Sequence, residues 1–185
     1  MRILELLPIG DFDGRLLREM APALADILGV PCKIAGVHLD PQFAFHRERQ
    51  QFHSSEILQE MQNYAANGAW RVLGVANVDL YIPILTFVFG EAQMGGPCAV
   101  VSAHRLAQEF YGLPSDPDLL FGRLLKEAVH EVGHTLDLTH CDDYACAMAP
   151  SHAVEWIDLK EATLCPNCHG RATDLLTTET RRHGE

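Results

Sequence analysis

Eleven residues constrain this chain more than any other feature: His130-Glu131-Val132-Gly133-His134-Thr135-Leu136-Asp137-Leu138-Thr139-His140. Asp116-Pro117-Asp118 upstream offers an N-cap, a proline at the first helical position and an acid in the first turn, so a long helix is predicted to run to about Leu136. On it Phe121, Leu125, Ala128, Val132 and Leu136 form the apolar stripe. At about 100° per residue His130 lies roughly 200° from Val132, and His134 sits one turn further along the same face. Both imidazoles are therefore expected on the side opposite the stripe, at the separation needed to grip one tetrahedral ion. Alone, such a pair also suits an ordinary helix surface. His140 decides otherwise, because it sits just past the predicted helix end and can swing back as a third ligand, leaving a fourth position open for catalysis. Glu131 can then reach a water in that position without ligating the metal.

The cysteines tell a second story. Of six, Cys141, Cys146, Cys165 and Cys168 fall in the last 45 residues, with a Cys-x4-Cys pair and a distant Cys-x2-Cys pair. The N-terminal run MRILELLPIGDFDGRLLREM carries Glu5, Asp11 and Asp13 and lacks the uncharged apolar stretch of an export signal. In a reducing compartment four clustered cysteines read as a closed structural zinc site rather than as disulfides. His140 and Cys141 are adjacent, so one peptide joins a ligand of each proposed metal, and Cys146 lies two residues before Met148. The second ion would brace the irregular segment that presents His140. Cys32 and Cys98, each beside a proline, read as small buried hydrophobes, and His38, His46, His53, His104, His152 and His169 have no assignable partner.

The rest of the chain reads as α/β (α+β). Ile3 to Pro8 is predicted as a strand followed by a helix over about 15–28; Cys32 to Val37 is a second strand; 40–53 is loop-like, and Ser54 and Ser55 start a helix to roughly Ala66. Arg71 to Ile82 is a third strand interrupted by Gly74 and ended by Asp79 or Pro83. Leu85 to Ala92 and Cys98 to Ala103 are two short strands joined too tightly for a crossover helix, which predicts an antiparallel strand at the edge of a mixed sheet. A weak helix is predicted over 154–164, and Thr177 to Glu185 as a frayed polar tail. With 185 residues the chain is expected to form one domain, its N-terminal lobe (1–136) ending with the histidine-bearing helix and a small irregular, zinc-braced C-terminal lobe (137–185) following. Twenty-five acidic against 14 basic side chains give a formal charge of −11, which disfavours nucleic acid as a partner. No membrane span is expected, and the chain reads as a cytoplasmic protein, monomeric by expectation.

The pattern from His130 to Cys168 resembles the metzincin zinc metallopeptidases, and specifically their archaemetzincin branch. That family continues HExxHxxGxxH with a Cys directly after the third His, a second Cys five residues on, then x-Met, and finally CxxC. Here Cys141, Cys146, Ala147-Met148 and Cys165-Pro166-Asn167-Cys168 stand in those places, and FVFGEA at 87–92 is also similar. The resemblance implies a catalytic zinc on His130, His134 and His140, Glu131 as general base, Met148 as the Met-turn residue and a second, structural zinc. The family's glycine is Asp137 in this chain. Asp tolerates the left-handed conformation at a cost on the order of 1 kcal/mol, so the turn is expected to survive. The implied reaction is hydrolysis of a peptide or protein substrate by a zinc-activated water, with the substrate strand added to the edge near 87–92. An RNA-directed zinc hydrolase sharing the H-x3-H-x5-H spacing, and a non-catalytic zinc or peptide-binding module, are the alternatives.

Overall fold

A computed structural model describes residues 2–65 and 68–182, with side chains to residue 174. Three strands form its centre: β1 (Leu4–Ile9), β5 (Arg71–Ala76) and β8 (Cys98–Ser102). Each alternates in two directions. Leu4, Leu6, Leu73, Val75, Ala99 and Val101 enter one core, while Leu7, Ile9, Val72, Ala76, Cys98 and Val100 enter another on the opposite face. Strands apolar on both sides need cover on both sides, and they get it. Helices α1 (Gly14–Leu28) and α3 (Pro117–Thr135) cover the first face, and α2 (Ser54–Ala65) covers the second. At Gly74 a Cβ would lie 2.4 Å from Ile9 Cδ1, so only glycine lets α2's Met61 and the strand approach this closely.

The main sheet has the order β2-β1-β5-β8-β7, with β2 (Cys32–Ile34) at one edge and β7 (Gly90–Ala92) at the other. All neighbours are parallel except β7, which pairs antiparallel with β8 through Gly90 and Val101, Glu91 and Val100, and Ala92 and Ala99. The mixed sheet with an antiparallel edge is thus as expected. Glu91 points away from the first core, and its carboxylate accepts hydrogen bonds from the Ser54 and Ser55 hydroxyls at the start of α2, the latter at 2.8 Å. The edge strand is thereby tied to a helix terminus.

Several boundaries differ from the sequence expectation. The stretch 40–53, expected as loop, contains β3 (Phe45–His46) and β4 (Gln51–His53), which form a second sheet with β6 (Leu80–Tyr81). The third strand runs through Gly74 without the expected interruption and ends at Ala76, while Leu80–Tyr81 belongs to the second sheet. Over 85–87 the strand is replaced by an irregular loop in which side chains claim two carbonyls: Arg49 Nη2 donates to Leu85 O and Thr86 O at 2.9 and 3.1 Å, and Gln51 Nε2 to Thr86 O at 2.9 Å, while Val88 keeps an isolated antiparallel bridge to Leu80. The weak helix shrinks to α4 (Val154–Leu159), and α5 (Pro166–Arg182), opened by Pro166 in its first turn, was not anticipated. The frayed tail expected over 177–185 is instead helical as far as Arg182, as the end of α5, and 183–185 lie outside the described residues. Among the described residues no helix is long and apolar enough to cross a membrane.

Candidate metal centre

The capping signals act as read: Asp116 accepts from the Leu119 amide at 3.0 Å, and Pro117 opens α3. The helix is not two-faced, however. Leu124, Ala128, Val129 and Val132 pack into the first core, yet His130 and Glu131 are each only 5% exposed. The segment after the helix and strand β7 cover the side opposite the stripe, and turn it into the floor of a cleft.

His130 Nδ1 lies 2.8 Å from Ala147 O and His134 Nδ1 lies 2.7 Å from Leu138 O, so in each ring Nδ1 carries the proton and donates it to a carbonyl. Both Nε2 atoms are then bare acceptors, yet they stand 3.1 Å apart. Two lone pairs face each other there. A tetrahedral zinc with Zn–N distances near 2.0–2.1 Å has edges of about 3.3 Å, which this pair fits. His140, exposed at the cleft wall, completes the set: one nitrogen from each of the three rings lies within 4.8 Å of the others. Burial is the first cause holding all three imidazoles below their usual range, most strongly in His130, with the Lys160 ammonium adding to it. Neutral imidazole is the form that binds metal.

Glu131 sits beside this trio. Burial, reinforced by the neighbouring Glu127 carboxylate, pushes its carboxyl well above the ordinary range. Gly90 makes room for it: a Cβ at position 90 would lie 2.7 Å from Glu131 Cγ and Oε1. Edge strand and carboxylate thus meet without a side chain between them. They share a cleft of about 440 Å³, walled by residues 85–92 and Met94 on one side and by His140, Pro150, Ser151 and His152 on the other. His152, without an assignable partner in the sequence, stands in this cleft with its ring edge-on to Trp156.

The helix end shows how Asp137 replaces glycine. Its φ is 59°, in the left-handed region. The Asp137 amide donates to His134 O at 2.9 Å and the Leu138 amide to Gly133 O at 3.1 Å, the paired bonds of a Schellman turn. That turn places Leu138 O where it accepts from the His134 ring, so the helix terminus and the orientation of His134 are set together.

Below the histidines, Ala147, Met148 and Ala149 form a fully buried floor. Lys160, only 1% exposed, bonds to Glu127 Oε1 at 2.7 Å, Ala149 O at 3.1 Å and Ala147 O at 3.2 Å. Sequence reasoning missed Lys160, Glu127, Gly90 and Gly133. A lysine is normally exposed, so nothing local marked Lys160. For Gly133 there was a signal, since glycine inside a helix costs about 1 kcal/mol relative to alanine.

The four expected cysteines also converge. Their Sγ atoms lie within 4.8 Å of one another, and Cys141 and Cys165 are 3.8 Å apart, close to the edge of a tetrahedron with Zn–S of about 2.3 Å. Cys146 Sγ accepts from the Cys165 amide at 3.3 Å and the Met148 amide at 3.5 Å. Backbone N–H groups aimed at sulfur favour thiolate, and hydrogen bonding of this kind at Cys165 holds its thiol below the usual value. The two clusters touch through backbone, because the Cys141 amide donates to Met148 O at 3.0 Å. Cys32 and Cys98 stand apart, with burial pushing each thiol up to about 11.

Comparison with known proteins gives consistent results. The model of "Peptidase family M54" matches residues 43–173. The archaemetzincin of Methanocaldococcus jannaschii is 38% identical over 167 residues, covering 90% of each chain. Among solved structures, a zinc-dependent peptidase from Methanocorpusculum labreanum superposes with a TM-score of 0.85 at 27% identity, covering 91% of this chain and 99% of that one. The archaemetzincin of Methanopyrus kandleri gives 0.78 at 32% identity, covering 95% and 96%.

Proposed function

The chain belongs to peptidase family M54, and on that premise we propose that it is a zinc-dependent metallopeptidase whose catalytic ion is held by His130, His134 and His140. The observation that carries this reading is the approach of two bare Nε2 atoms to 3.1 Å beside a buried carboxylate in an open cleft. When bound, the ion supplies Lewis acidity, lowering the pKa of a water and drawing electron density from the scissile carbonyl. Glu131, brought back towards its ionised form by the nearby positive charge, takes a proton from that water and passes it to the leaving amine. His130 and His134 stay correctly oriented through both transfers because backbone carbonyls hold their Nδ1 protons. Strand β7 offers its unpaired edge to an extended peptide, and Gly90 keeps that edge flush with Glu131.

Within the same proposal, Cys141, Cys146, Cys165 and Cys168 hold a second, structural zinc, and Met148 is the Met-turn residue. The chain works as one catalytic domain, with residues 137–185 serving as a zinc-braced lobe against the lobe that ends at α3. Its clustered free thiols fit the reducing cytoplasm.

The deciding experiment is Glu131→Gln, which keeps size and all three imidazoles. Zinc content and melting temperature are expected to stay near wild type while cleavage of an unbiased peptide mixture falls about 10²-fold or more. Full activity in this variant, or cleavage of single-stranded RNA by wild type in place of peptides, would overturn the assignment.

A further inference from the structure

Lys160 is a whole cation enclosed by protein, and its surroundings are specific. An ammonium carries three protons, and here three acceptors receive them: Glu127 Oε1, Ala147 O and Ala149 O. The two carbonyls flank Met148 on either side. One of them, Ala147 O, also accepts the proton of His130 Nδ1 at 2.8 Å. Ammonium, carbonyl and imidazole are therefore linked in series. Glu127 is one turn before His130 and Glu131 on α3, so the ion pair bolts the helix that carries the histidines to the segment that forms their floor.

Stability alone is a weak reason for this arrangement. Burying an ion pair costs several kcal/mol per charge in desolvation, and apolar residues of similar volume often serve as well or better. The backbone of the same segment is in any case docked independently, since the Ala147 amide donates to Thr163 O at 2.9 Å and the Glu161 amide to Ala145 O at 2.8 Å. The ammonium adds hydrogen bonds to two particular carbonyls of that segment.

Resting on the reading of His130, His134 and His140 as metal ligands, we propose that Lys160 is a positioning residue for the histidine metal centre: its ammonium holds the carbonyls on both sides of Met148 and so fixes the acceptor that orients His130. Glu127 keeps the ammonium in place. The cysteine cluster meets this segment only through backbone, at the Cys141 amide bond to Met148 O, so the effect of Lys160 is expected first at the histidine site.

Cobalt(II) tests this, because thiolate charge-transfer bands and the weaker d–d bands of a histidine site report the two positions separately. Wild type, Lys160→Met, Glu127→Gln and the double variant Glu127→Gln/Lys160→Met are titrated as full chains. Lys160→Met and the double variant are expected to bind cobalt at the histidine site about tenfold to a hundredfold more weakly, with an altered d–d band and an unchanged thiolate band. Glu127→Gln leaves the amine on its two carbonyls and is expected to lose less than tenfold. The double variant leaves no unpaired buried charge, so it keeps the test intact should Lys160→Met fail to fold. Wild-type affinity in the double variant would show that Lys160 only balances Glu127 and would overturn the inference. Failure of wild type itself to bind cobalt at the histidines would instead overturn the metal-site reading, and this inference with it.

Discussion

The sulfur of Met148 occupies the space that a side chain at position 133 would need: a Cβ at Gly133 would lie 2.3 Å from Met148 Sδ and 3.1 Å from its Cε. Helix α3 is thus missing a methyl group where the floor of the metal centre presses up between His130 and His134. Leu138 Cδ1, 3.6 Å from the same point, closes the contact from the Schellman turn.

Gly133→Ala therefore sets two effects against each other. Helix propensity favours alanine by about 1 kcal/mol, while forcing a methyl group into a packed site costs roughly 1–3 kcal/mol. Because both neighbours are fully buried, the steric cost is expected to win, for a net loss of up to about 2 kcal/mol. Gly122 on the same helix is the control: a Cβ there meets nothing within 4 Å, so Gly122→Ala should stabilise by up to about 1 kcal/mol. Urea melts of both variants measure the difference. Equal effects at the two positions would refute the account.

The bond from the Cys141 amide to Met148 O predicts that the two metal sites are coupled. Cys165→Ser opens the thiolate cage without touching a histidine, and it is expected to weaken zinc at the histidine site by about tenfold while lowering the melting temperature. Zinc titrations alongside thermal melts provide the check. Wild-type affinity for the histidine-site ion in this variant would mean that the cage braces nothing beyond itself.

Opposed pKa shifts make a prediction for the metal-free protein. Burial lowers the three histidines below 6.5, so the unfolded chain binds more protons as pH falls through that value, and the folded state loses stability on acidification. Glu131 is raised above 4.5, so it contributes stability that is present at low pH and lost as pH rises through its folded value. Between about pH 4.5 and 6.5 the two contributions oppose each other. Metal-free Glu131→Gln, which removes one opposing carboxyl and leaves the raised Glu127 in place, should therefore lose stability more steeply on acidification than metal-free wild type. Denaturant midpoints across that range decide it, and parallel slopes would contradict the raised carboxyl.

What the sequence determined by itself was everything set by covalent spacing. The helical repeat puts His130 and His134 one turn apart whatever surrounds them, Asp116 and Pro117 start the helix from within its own first turn, and Asp137 is chemically suited to the left-handed turn that it adopts at φ 59°. The alternating apolar strands and the tight link between β7 and β8 were legible for the same reason. Tertiary structure decided what depends on which distant group arrives within reach. His130 finds its acceptor 17 residues away at Ala147, and Lys160 finds its three acceptors on two different segments. The start of the strand expected over 85–92 yields to side chains more than 30 positions upstream. No local pattern encodes these meetings, because a carbonyl's identity as hinge, floor or anchor is a property of the packed molecule: a buried polar group must be satisfied by whatever the fold brings beside it.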